Sequence, residues 1–256
     1  MANEADAPTA KAPLLSIVTI CLNGVDYIER TLSSVTRQLT SEVEYLVVDG
    51  ASVDGTEDVV RQHTGRIDRF VSEPDTGLYN AINKGVRLAK GRYVGLVHGG
   101  DVLRPGALAT VLSKIAAPYR AVLYGGISTY KDGRFLGLVG PHAGVLPEQM
   151  IPHPATFVPK ELYELYGFYD ESYRIAADYK LFLNLYLKGV EFVWIDGLVV
   201  DFDLSGVSSR WDEAQKEISR LKVELGVARP QGRVSPVKTK LRRLYEALAD
   251  LLPIRR

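Results

Sequence analysis

The segment LLSIVTIC, residues 14–21, is the strongest structural signal in the chain. Its mostly apolar and β-branched residues predict a strand that is buried on both faces. Asn23-Gly24 interrupts this run. Apolar residues then recur at steps of four, three and four, which is helical periodicity: Ile28, Leu32, Val35 and Leu39. The sequence thus opens with a buried strand followed by an amphipathic helix.

Strands and helices continue to alternate after this first unit. We predict strands at residues 45–48, 70–71, 93–97 and 121–124. Helices are expected after a cap at Ser52 or Asp54, after a cap at Asp75-Thr76, and from Pro105 to about residue 115. This order is typical of an α/β fold with a mostly parallel sheet and helices on both faces. Ligands of such sheets bind beyond the carboxyl ends of the strands, where Asp49 and Asp101 fall.

The pattern changes after residue 128 and again after residue 205. Gly-rich alternation with a hairpin turn at Asp132-Gly133 is followed by a helix at 177–188 and strands at 190–195 and 198–202. We expect a disordered tail at 1–13, one domain at 14–205 and a basic helical segment at 206–256.

The C-terminal segment combines an apolar stripe with positive charge. A helix beginning at Ser235-Pro236 would place these residues on one face: Val237, Leu241, Leu244, Tyr245, Leu248, Leu251 and Leu252. Basic side chains such as Lys238, Lys240, Arg242 and Arg243 accompany the stripe. Such a helix can rest on anionic lipid, or it can pack on the domain or on a second protomer. Both alternatives stay open, as does the oligomeric state.

Composition excludes several classes of protein. Lys plus Arg equals Asp plus Glu at 31 each, so no global field attracts nucleic acid. The single Cys21 allows no intrachain disulfide and suggests a reducing compartment. The N-terminus lacks a signal-peptide core, and no apolar run approaches the roughly 20 residues that span a bilayer. We predict a cytoplasmic protein, with peripheral contact at the inner face of the cell membrane as an open alternative.

Two common nucleotide sites are absent from the sequence. A dinucleotide fingerprint should follow the first strand as Gly-x-Gly-x-x-Gly, but residues 21–25 read CLNGV. Gly50 and Gly55 have P-loop spacing, yet Thr56 stands where the phosphate-binding Lys belongs. The sequence does place acidic residues at the ends of strands. Such carboxylates can accept hydrogen bonds from a nucleobase or a ribose, and they can hold a divalent cation that bridges a diphosphate.

Four segments in register resemble glycosyltransferase family 2. They are SIVTICLN at 16–23, EYLVVDGASVDGT at 44–56, EPDTGLYNAINKG at 73–85 and GRYVGLVHGGD at 91–101. IPHPATFV at 151–158 and AADYKL at 176–181 extend the resemblance. It implies the GT-A fold and an inverting enzyme that uses a nucleotide-diphosphate sugar. Within the domain, 14–104 would then be the nucleotide-sugar half and 105–205 the acceptor half.

The resemblance also implies donor-binding residues. Asp49 would accept a hydrogen bond from the nucleobase, with Asn23 nearby. Asp75, Asn80 and Lys84 would line the sugar and phosphates of the donor. Asp49 has a purely structural alternative as a turn former before Gly50. Asp75, Asn80 and Lys84 could instead belong to a capped surface helix.

The fourth segment departs from the family pattern. Members commonly carry Asp-x-Asp followed by another acid, which together hold Mg²⁺ or Mn²⁺ beneath the diphosphate. This chain has His98-Gly99-Gly100-Asp101 and keeps one carboxylate. Asp101 is therefore the expected metal ligand, while His98 would ligate Mn²⁺ or hydrogen-bond phosphate directly.

Two further residues are expected on the acceptor side. Asp178 matches the family's catalytic carboxylate and would receive the proton of the attacking hydroxyl. The structural alternative is an Asp that stabilises the first turn of its helix. His153 resembles an acceptor-side His of the family, with a structural His as the alternative.

The sequence therefore predicts a sugar transferase of polysaccharide or glycolipid assembly, acting on a saccharide or a lipid-linked saccharide. Two rivals stay open. One is a nucleotidyltransferase that makes sugar nucleotides, although the Gly-rich basic loop that such enzymes favour is missing after the first strand. The other is a binding module without catalytic activity, suggested by Gly99 and Gly100.

Overall fold

The computed structural model describes residues 12–115, 120–204 and 211–228. The predicted tail, apart from residues 12 and 13, and the predicted basic helix after Ser235 lie outside these ranges. The chain divides into two compact units, Met1–Ile218 and Ser219–Arg256. The central sheet and the cleft described below lie in the first unit.

One mixed sheet forms the centre of the first unit. Its strands, in chain order, are β1 Leu15–Cys21, β2 Val43–Asp49, β3 Arg69–Ser72, β4 Tyr93–Leu96, β5 Val102–Leu103, β6 Val122–Lys131, β7 Arg134–Val139, β8 Thr156–Pro159 and β9 Phe192–Asp203. The spatial order is β3-β2-β1-β4-β8-β6-β9-β5, and β7 pairs with β6. The strands predicted at 14–21, 45–48, 70–71 and 93–97 are confirmed.

The sheet is parallel on its first side and mixed on its second. β3, β2, β1 and β4 are mutually parallel, as the alternation of strands and helices predicts. β8 then runs antiparallel to both β4 and β6, and β6 is parallel to β9. The two strands predicted at 190–195 and 198–202 are one strand, β9, whose register against β6 shifts next to Gly126. Gly197, with φ of 106°, absorbs this irregularity.

Helices flank the sheet: α1 Ile28–Thr36, α2 Thr56–Arg61, α3 Leu78–Leu88, α4 Ala107–Ile115, α5 Lys160–Tyr166 and α6 Ala177–Leu187. A further helix, α7 Trp211–Glu224, follows β9 in the chain. Ile28, Leu32 and Val35 of α1 are fully buried, as their spacing predicts. α5 has no counterpart among the predicted elements, whereas α7 falls within the segment predicted as helical at 206–256. No helix in the described ranges is long and apolar enough to cross a membrane.

The start of α3 differs from the prediction. Asp75-Thr76 does not cap this helix, which begins after Gly77 and has no side-chain cap at that position. Asp75 pairs instead with Lys84, one of the residues within α3. The helix lies very close to the sheet, because a β-carbon at Gly85 would overlap Cγ1 of Val18 on β1. This close packing fixes the first turn of α3 at the carboxyl end of the parallel strands.

The other predicted cap is correct in part. The residue before α2 is Gly55, with φ of 98°, which has no side chain to cap the helix. Asp54 supplies the hydrogen bond instead, because its Oδ1 accepts from the backbone N–H of Thr56 at 3.0 Å. Asp54 Oδ2 also accepts from the N–H of Val25 at 3.0 Å, which ties the loop before α2 to the loop before α1. These two hydrogen bonds give Asp54 a structural role as a cap of α2 and a tie between two loops.

Candidate active site

A cleft of about 490 Å³ opens beyond the carboxyl ends of β1, β2 and β4. Five of the sequence-predicted site residues line it: Asp75, His98, Asp101, His153 and Asp178. They come from four separate regions of the chain: before α3, after β4, before β8, and in the first turn of α6. A second depression of about 470 Å³ lies near the start of β4 and contains none of the predicted residues. The first cleft is therefore the candidate active site.

Asp101 is a buried acid with an unused oxygen. Its side chain follows β4 through the turn at Gly100, whose φ of 106° favours glycine. Oδ1 accepts from the N–H of Asp203 at 3.4 Å, whereas the buried Oδ2 has no hydrogen-bond partner among the described residues. Burial raises the pKa of Asp101 to about 8. A carboxyl group in this setting is costly for folding and is suited to binding a cation.

His98 supplies a neutral imidazole to the same cleft. Its Nδ1 is buried and has no hydrogen-bond partner in the described part of the chain. Burial, together with the nearby His153, lowers the pKa of His98 to about 3. The two imidazole rings lie 5.5 Å apart between centroids. His98 therefore offers a ligand or hydrogen-bonding nitrogen, and it carries no charge at neutral pH.

The described residues do not form a complete metal cage. No group of three or more His, Cys, Asp or Glu side chains converges within them in a metal-binding arrangement. The free oxygen of Asp101 nevertheless fits a hard cation such as Mg²⁺ or Mn²⁺, which is often held by one or two carboxylates together with substrate phosphates and water. Any cation here would depend on the substrate for most of its ligands.

Asp178 lies in the first turn of α6 with its two oxygens in different surroundings. Oδ1 accepts from the hydroxyl of Tyr79 at 3.1 Å and from the N–H of Tyr179 at 2.8 Å. Oδ2 lies 3.7 Å from Nδ1 of His153. Burial raises the pKa of Asp178 to about 6, against the hydrogen bonds, which lower it. The side chain remains 20% exposed, so it is reachable from the cleft.

His153 is held between Asp178 and an aromatic cluster. Its Nε2 lies 3.0 Å from the hydroxyl of Tyr169, and its ring packs against Phe182 at 5.6 Å between centroids. Burial lowers the pKa of His153 to about 4. The ring is therefore neutral at physiological pH, and its contact with Asp178 is not an ion pair under those conditions.

Asp75 reaches the cleft as part of a charged pair with Lys84. Oδ1 of Asp75 lies 2.6 Å from Nζ of Lys84, which also contacts Glu73 at 3.0 Å and the carbonyl of Pro74 at 2.9 Å. Lys84 itself does not line the cleft. Lys84 fixes the carboxylate of Asp75, and Asp75 is the member of this charged cluster that lines the cleft.

Asp49 is completely buried at the end of β2, and other parts of the chain already occupy its oxygens. It accepts from the N–H of Ser52 at 2.9 Å, from the Ser52 hydroxyl, and from the hydroxyl of Ser72 at 2.7 Å. The thiol of Cys21 lies 3.6 Å away. A nucleobase that bonds to Asp49 has to displace one of these donors.

The two predicted asparagines hold loops and do not line the cleft. Oδ1 of Asn23, a residue with φ of 48°, accepts from the N–H of Val53 at 3.0 Å and joins two loops at the strand ends. Asn80 donates from Nδ2 to Glu171 at 3.0 Å. Both residues fix backbone segments near the cleft.

Three residues of the site were not predicted from the sequence. Tyr79 touches Asp178, Tyr169 touches His153, and Asp203 lines the cleft beside Asp101. Tyr79 lies within EPDTGLYNAINKG, so the motif contained a signal that pointed to it. Asp203, which pairs with Arg30 at 2.9 Å, lies at the end of β9 with no motif to mark it.

Comparison with known proteins gives the class of this chain. The profile of Glycosyl transferase family 2 matches residues 16–174, more than half of the chain. An uncharacterised glycosyltransferase of Mycobacterium tuberculosis is 32% identical over 213 residues, which cover 77% of this chain and 78% of the relative. A PGL/p-HBAD biosynthesis glycosyltransferase of Mycobacterium bovis is 29% identical over 176 residues, 66% of this chain and 68% of the relative.

Solved structures share the fold. The S. aureus TarS fragment 1–349 with UDP-GlcNAc superposes with a TM-score of 0.67 at 18% identity, covering 82% of this chain. This chain covers 66% of that fragment, slightly less than two thirds. The mannosyltransferase PcManGT of Pyrobaculum calidifontis, with GDP-Man and Mn²⁺, gives a TM-score of 0.63 at 19% identity, covering 90% of this chain and 68% of that one.

The chain therefore belongs to glycosyl transferase family 2. It is a glycosyltransferase with the GT-A fold, and both predictions are confirmed. Family membership disfavours the two rival predictions, a nucleotidyltransferase and a binding module without catalytic activity.

Proposed function

We propose that the protein is an inverting glycosyltransferase that moves one sugar from a nucleotide-diphosphate donor to an acceptor hydroxyl, in polysaccharide or glycolipid assembly. The observation that carries the proposal is the pairing of two differently tuned acids, Asp101 and Asp178, in one cleft. Asp101 has a free buried oxygen for a cation, and Asp178 has a partly exposed carboxyl with a pKa of about 6. These are the two roles that the reaction requires.

The donor half of the site is assigned to residues 14–104. Asp101 would hold a divalent cation, which when bound supplies positive charge to the departing diphosphate. The unpartnered nitrogen of His98 would hydrogen-bond a phosphate oxygen or join Asp101 at the cation. UDP-GlcNAc, UDP, and GDP-Man with Mn²⁺, bound by proteins of the same fold, support a donor and a cation of these classes.

Recognition of the nucleoside is assigned to the ends of β2 and β3. Asp75, fixed by Lys84, would accept from donor hydroxyl groups. Asp49 would accept from the nucleobase after the Ser52 hydroxyl turns away from it. Asn23 and Asn80 would assist indirectly by holding the loops that surround the donor.

The acceptor half is assigned to residues 105–205, with Asp178 as the general base. At pH 7 a carboxyl with a pKa of about 6 is mostly ionised, yet it is a stronger base than an ordinary Asp. Oδ1 already holds two hydrogen bonds, which leaves Oδ2 to take the proton of the acceptor hydroxyl. Neutral His153 would orient the acceptor without competing for that proton.

The first experiment is a thermal-shift screen of nucleotide-diphosphate sugars with and without Mn²⁺, because a ligand of the native state raises the melting temperature. We expect one donor class to stabilise the protein, with Mn²⁺ increasing the effect, and Asp101→Asn to remove the Mn²⁺ increment. Pyrophosphate release from a nucleoside triphosphate and a sugar phosphate would contradict the proposal and support the nucleotidyltransferase.

We also propose a cytoplasmic location. The peripheral membrane contact of the basic C-terminal segment stays a prediction, and pelleting of the full chain with anionic vesicles measures it. A chain truncated after residue 228 is the matched control. Equal pelleting of both chains would contradict membrane contact through this segment.

A further inference from the structure

The backbone that leads into Asp178 is held by one remote carboxylate. Glu217 of α7 accepts from the N–H of Arg174 at 2.7 Å through Oε1. Its Oε2 accepts from Ile175 and Ala176, both at 2.9 Å. Three successive N–H groups thus converge on a single side chain, as in a backbone anion nest. Glu217 lies outside the family match, which ends at residue 174.

Tyr79 holds the same segment from the α3 side. Its hydroxyl lies 2.6 Å from the carbonyl oxygen of Ile175 and 3.1 Å from Oδ1 of Asp178. The ring is buried and stacks on Tyr169 at 5.7 Å between centroids. A phenol has a single hydrogen, so it donates fully to one of these two oxygens at a time. The Tyr79 hydroxyl group is therefore fixed in position, while its hydrogen can point to either oxygen.

We propose that Tyr79 and Glu217 form a clamp that positions Asp178 and adjusts to its protonation state. Glu217 fixes the 174–176 backbone, and Tyr79 links Ile175 of that backbone to Oδ1 of Asp178. The inference rests on the proposed function, in which Asp178 is the base. Neither residue touches the reacting atoms, so both are positioning residues.

The clamp acts during proton transfer as follows. While Asp178 is ionised, Tyr79 donates to Oδ1, and Oδ2 faces the acceptor. The hydroxyl proton moves to Oδ2 as the acceptor oxygen bonds to the anomeric carbon, and the diphosphate leaves with the electron pair of the broken C–O bond. Asp178 is then neutral, and the Tyr79 hydrogen turns to the carbonyl of Ile175. Asp178 later returns its proton to water.

Four titratable groups surround the carboxyl of Asp178. His153 is neutral, the Tyr79 hydroxyl stabilises the ionised form, and Glu217 contributes a like charge that disfavours it. Tyr169 stands behind His153. Loss of the Tyr79 hydroxyl should therefore raise the pKa of Asp178, whereas loss of the Glu217 charge should lower it. The opposite shifts identify the two contacts, and a loss of turnover at pH values where Asp178 is fully ionised in every variant identifies their positioning role.

The test is a ¹³C carboxyl NMR titration of Asp178 in the full chain, with the signal assigned through Asp178→Asn, alongside the pH profile of kcat/KM. We expect Tyr79→Phe to move the pKa and the acid limb up by about half a unit or more, and Glu217→Gln to move both down by about half a unit. Turnover should fall roughly 10-fold in each variant because the base is less well oriented.

Two matched controls isolate the contacts. Tyr93→Phe removes another buried hydroxyl, one that donates to the carbonyl of Ala121 at 3.1 Å far from the cleft. Glu213→Gln removes the same charge one turn earlier on α7, from an exposed side chain. Neither control should shift the titration of Asp178. If Glu217→Gln does not fold, Glu217→Asp tests the same nest, with an expected loss in kcat and an unchanged KM for the donor.

The outcomes separate the clamp from the function on which it rests. An inactive Asp178→Asn, together with folded Tyr79→Phe and Glu217→Gln proteins whose Asp178 titrates as in wild type, would overturn the clamp alone. Shifts in the same direction for both variants would also overturn it. Wild-type turnover by Asp178→Asn would remove the base assignment, and the clamp with it.

Discussion

His153 and Asp178 face each other at 3.7 Å, yet their pKa values move away from those of an ion pair. Burial raises the pKa of Asp178 to about 6 and lowers that of His153 to about 4. An ion pair would have the opposite signature, a lowered acid and a raised imidazole. As pH falls from neutral, the proton therefore goes to the carboxyl first, and the histidine stays neutral across the physiological range.

The first prediction concerns the pH dependence of catalysis. Because Asp178 must be ionised to act as a base, kcat/KM should fall as pH drops through about 6, with a slope of one proton. The assay uses saturating Mn²⁺, which would keep Asp101 ionised. His153→Asn should lower kcat/KM and leave an acid limb that still reports the ionisation of Asp178. A rate profile of both proteins from pH 4.5 to 8.5 measures this. A limb that disappears in His153→Asn would mean that the histidine is the titrating group.

The second prediction concerns the energetic cost of Asp101. Its folded-state pKa of about 8 exceeds the unfolded value of about 3.9, so the folded protein binds an extra proton between these values. The free energy of unfolding therefore decreases as pH rises through that window. Asp101→Asn removes this penalty and should raise the melting temperature at pH 7.5 by roughly 3 °C or more, while activity is lost.

The same variant carries its own control. At pH 4 the acid is protonated in the folded state and about half protonated in the unfolded state, so most of the stabilisation should be lost there. Calorimetry of wild type and Asp101→Asn, without divalent cations, at pH 4 and 7.5 gives the comparison. A variant that is less stable than wild type at pH 7.5 would contradict the view that the buried carboxyl of Asp101 destabilises the metal-free fold.

The third prediction concerns Lys84. Lys84→Met leaves the carboxylate of Asp75, which is 10% exposed, without its closest cation. We expect donor affinity to fall about 10-fold, because an unfixed carboxylate orients its hydrogen bonds poorly. Glu73→Gln is the control, since that partner is 55% exposed and contributes little. Donor titration by calorimetry measures both. Unchanged affinity in Lys84→Met would remove this cluster from the donor site.

The fourth prediction concerns packing. Gly85→Ala inserts a methyl group into the side chain of Val18, so α3 must move away from β1. The expected cost is about 1–3 kcal/mol, seen as a lower denaturation midpoint. A β-carbon at Gly65 meets no atom within 4 Å, and Gly65→Ala should be nearly neutral. Equal stability of the two variants would show that α3 does not depend on this contact.

The parallel side of the sheet was predictable because its strands are apolar runs that end in turn residues. β1 and β2 are fully buried, and such strands leave a clear sequence signal. The second side was harder, because β8 has four residues and β9 continues through Gly197, which reads as a break. Chain direction in β8 depends on tertiary pairing with β4 and β6, for which the local sequence carries no signal.

The site was predictable in location but not in side-chain environment. Strand ends and family motifs pointed to Asp75, Asp101 and Asp178, and these residues do line one cleft. The hydrogen-bond partners of Asp49 could not be predicted, because they depend on the strand register that places Ser72 of β3 beside it. Glu217 was equally hidden, since its partners are backbone groups about forty residues away.

The most direct test of the account is the turnover of Asp178→Asn with the donor and acceptor that wild type uses. We expect a loss of at least about 100-fold in kcat, with the donor dissociation constant and the melting curve close to those of wild type. Turnover near the wild-type rate in that folded, donor-binding variant would contradict the assignment of Asp178 as the base.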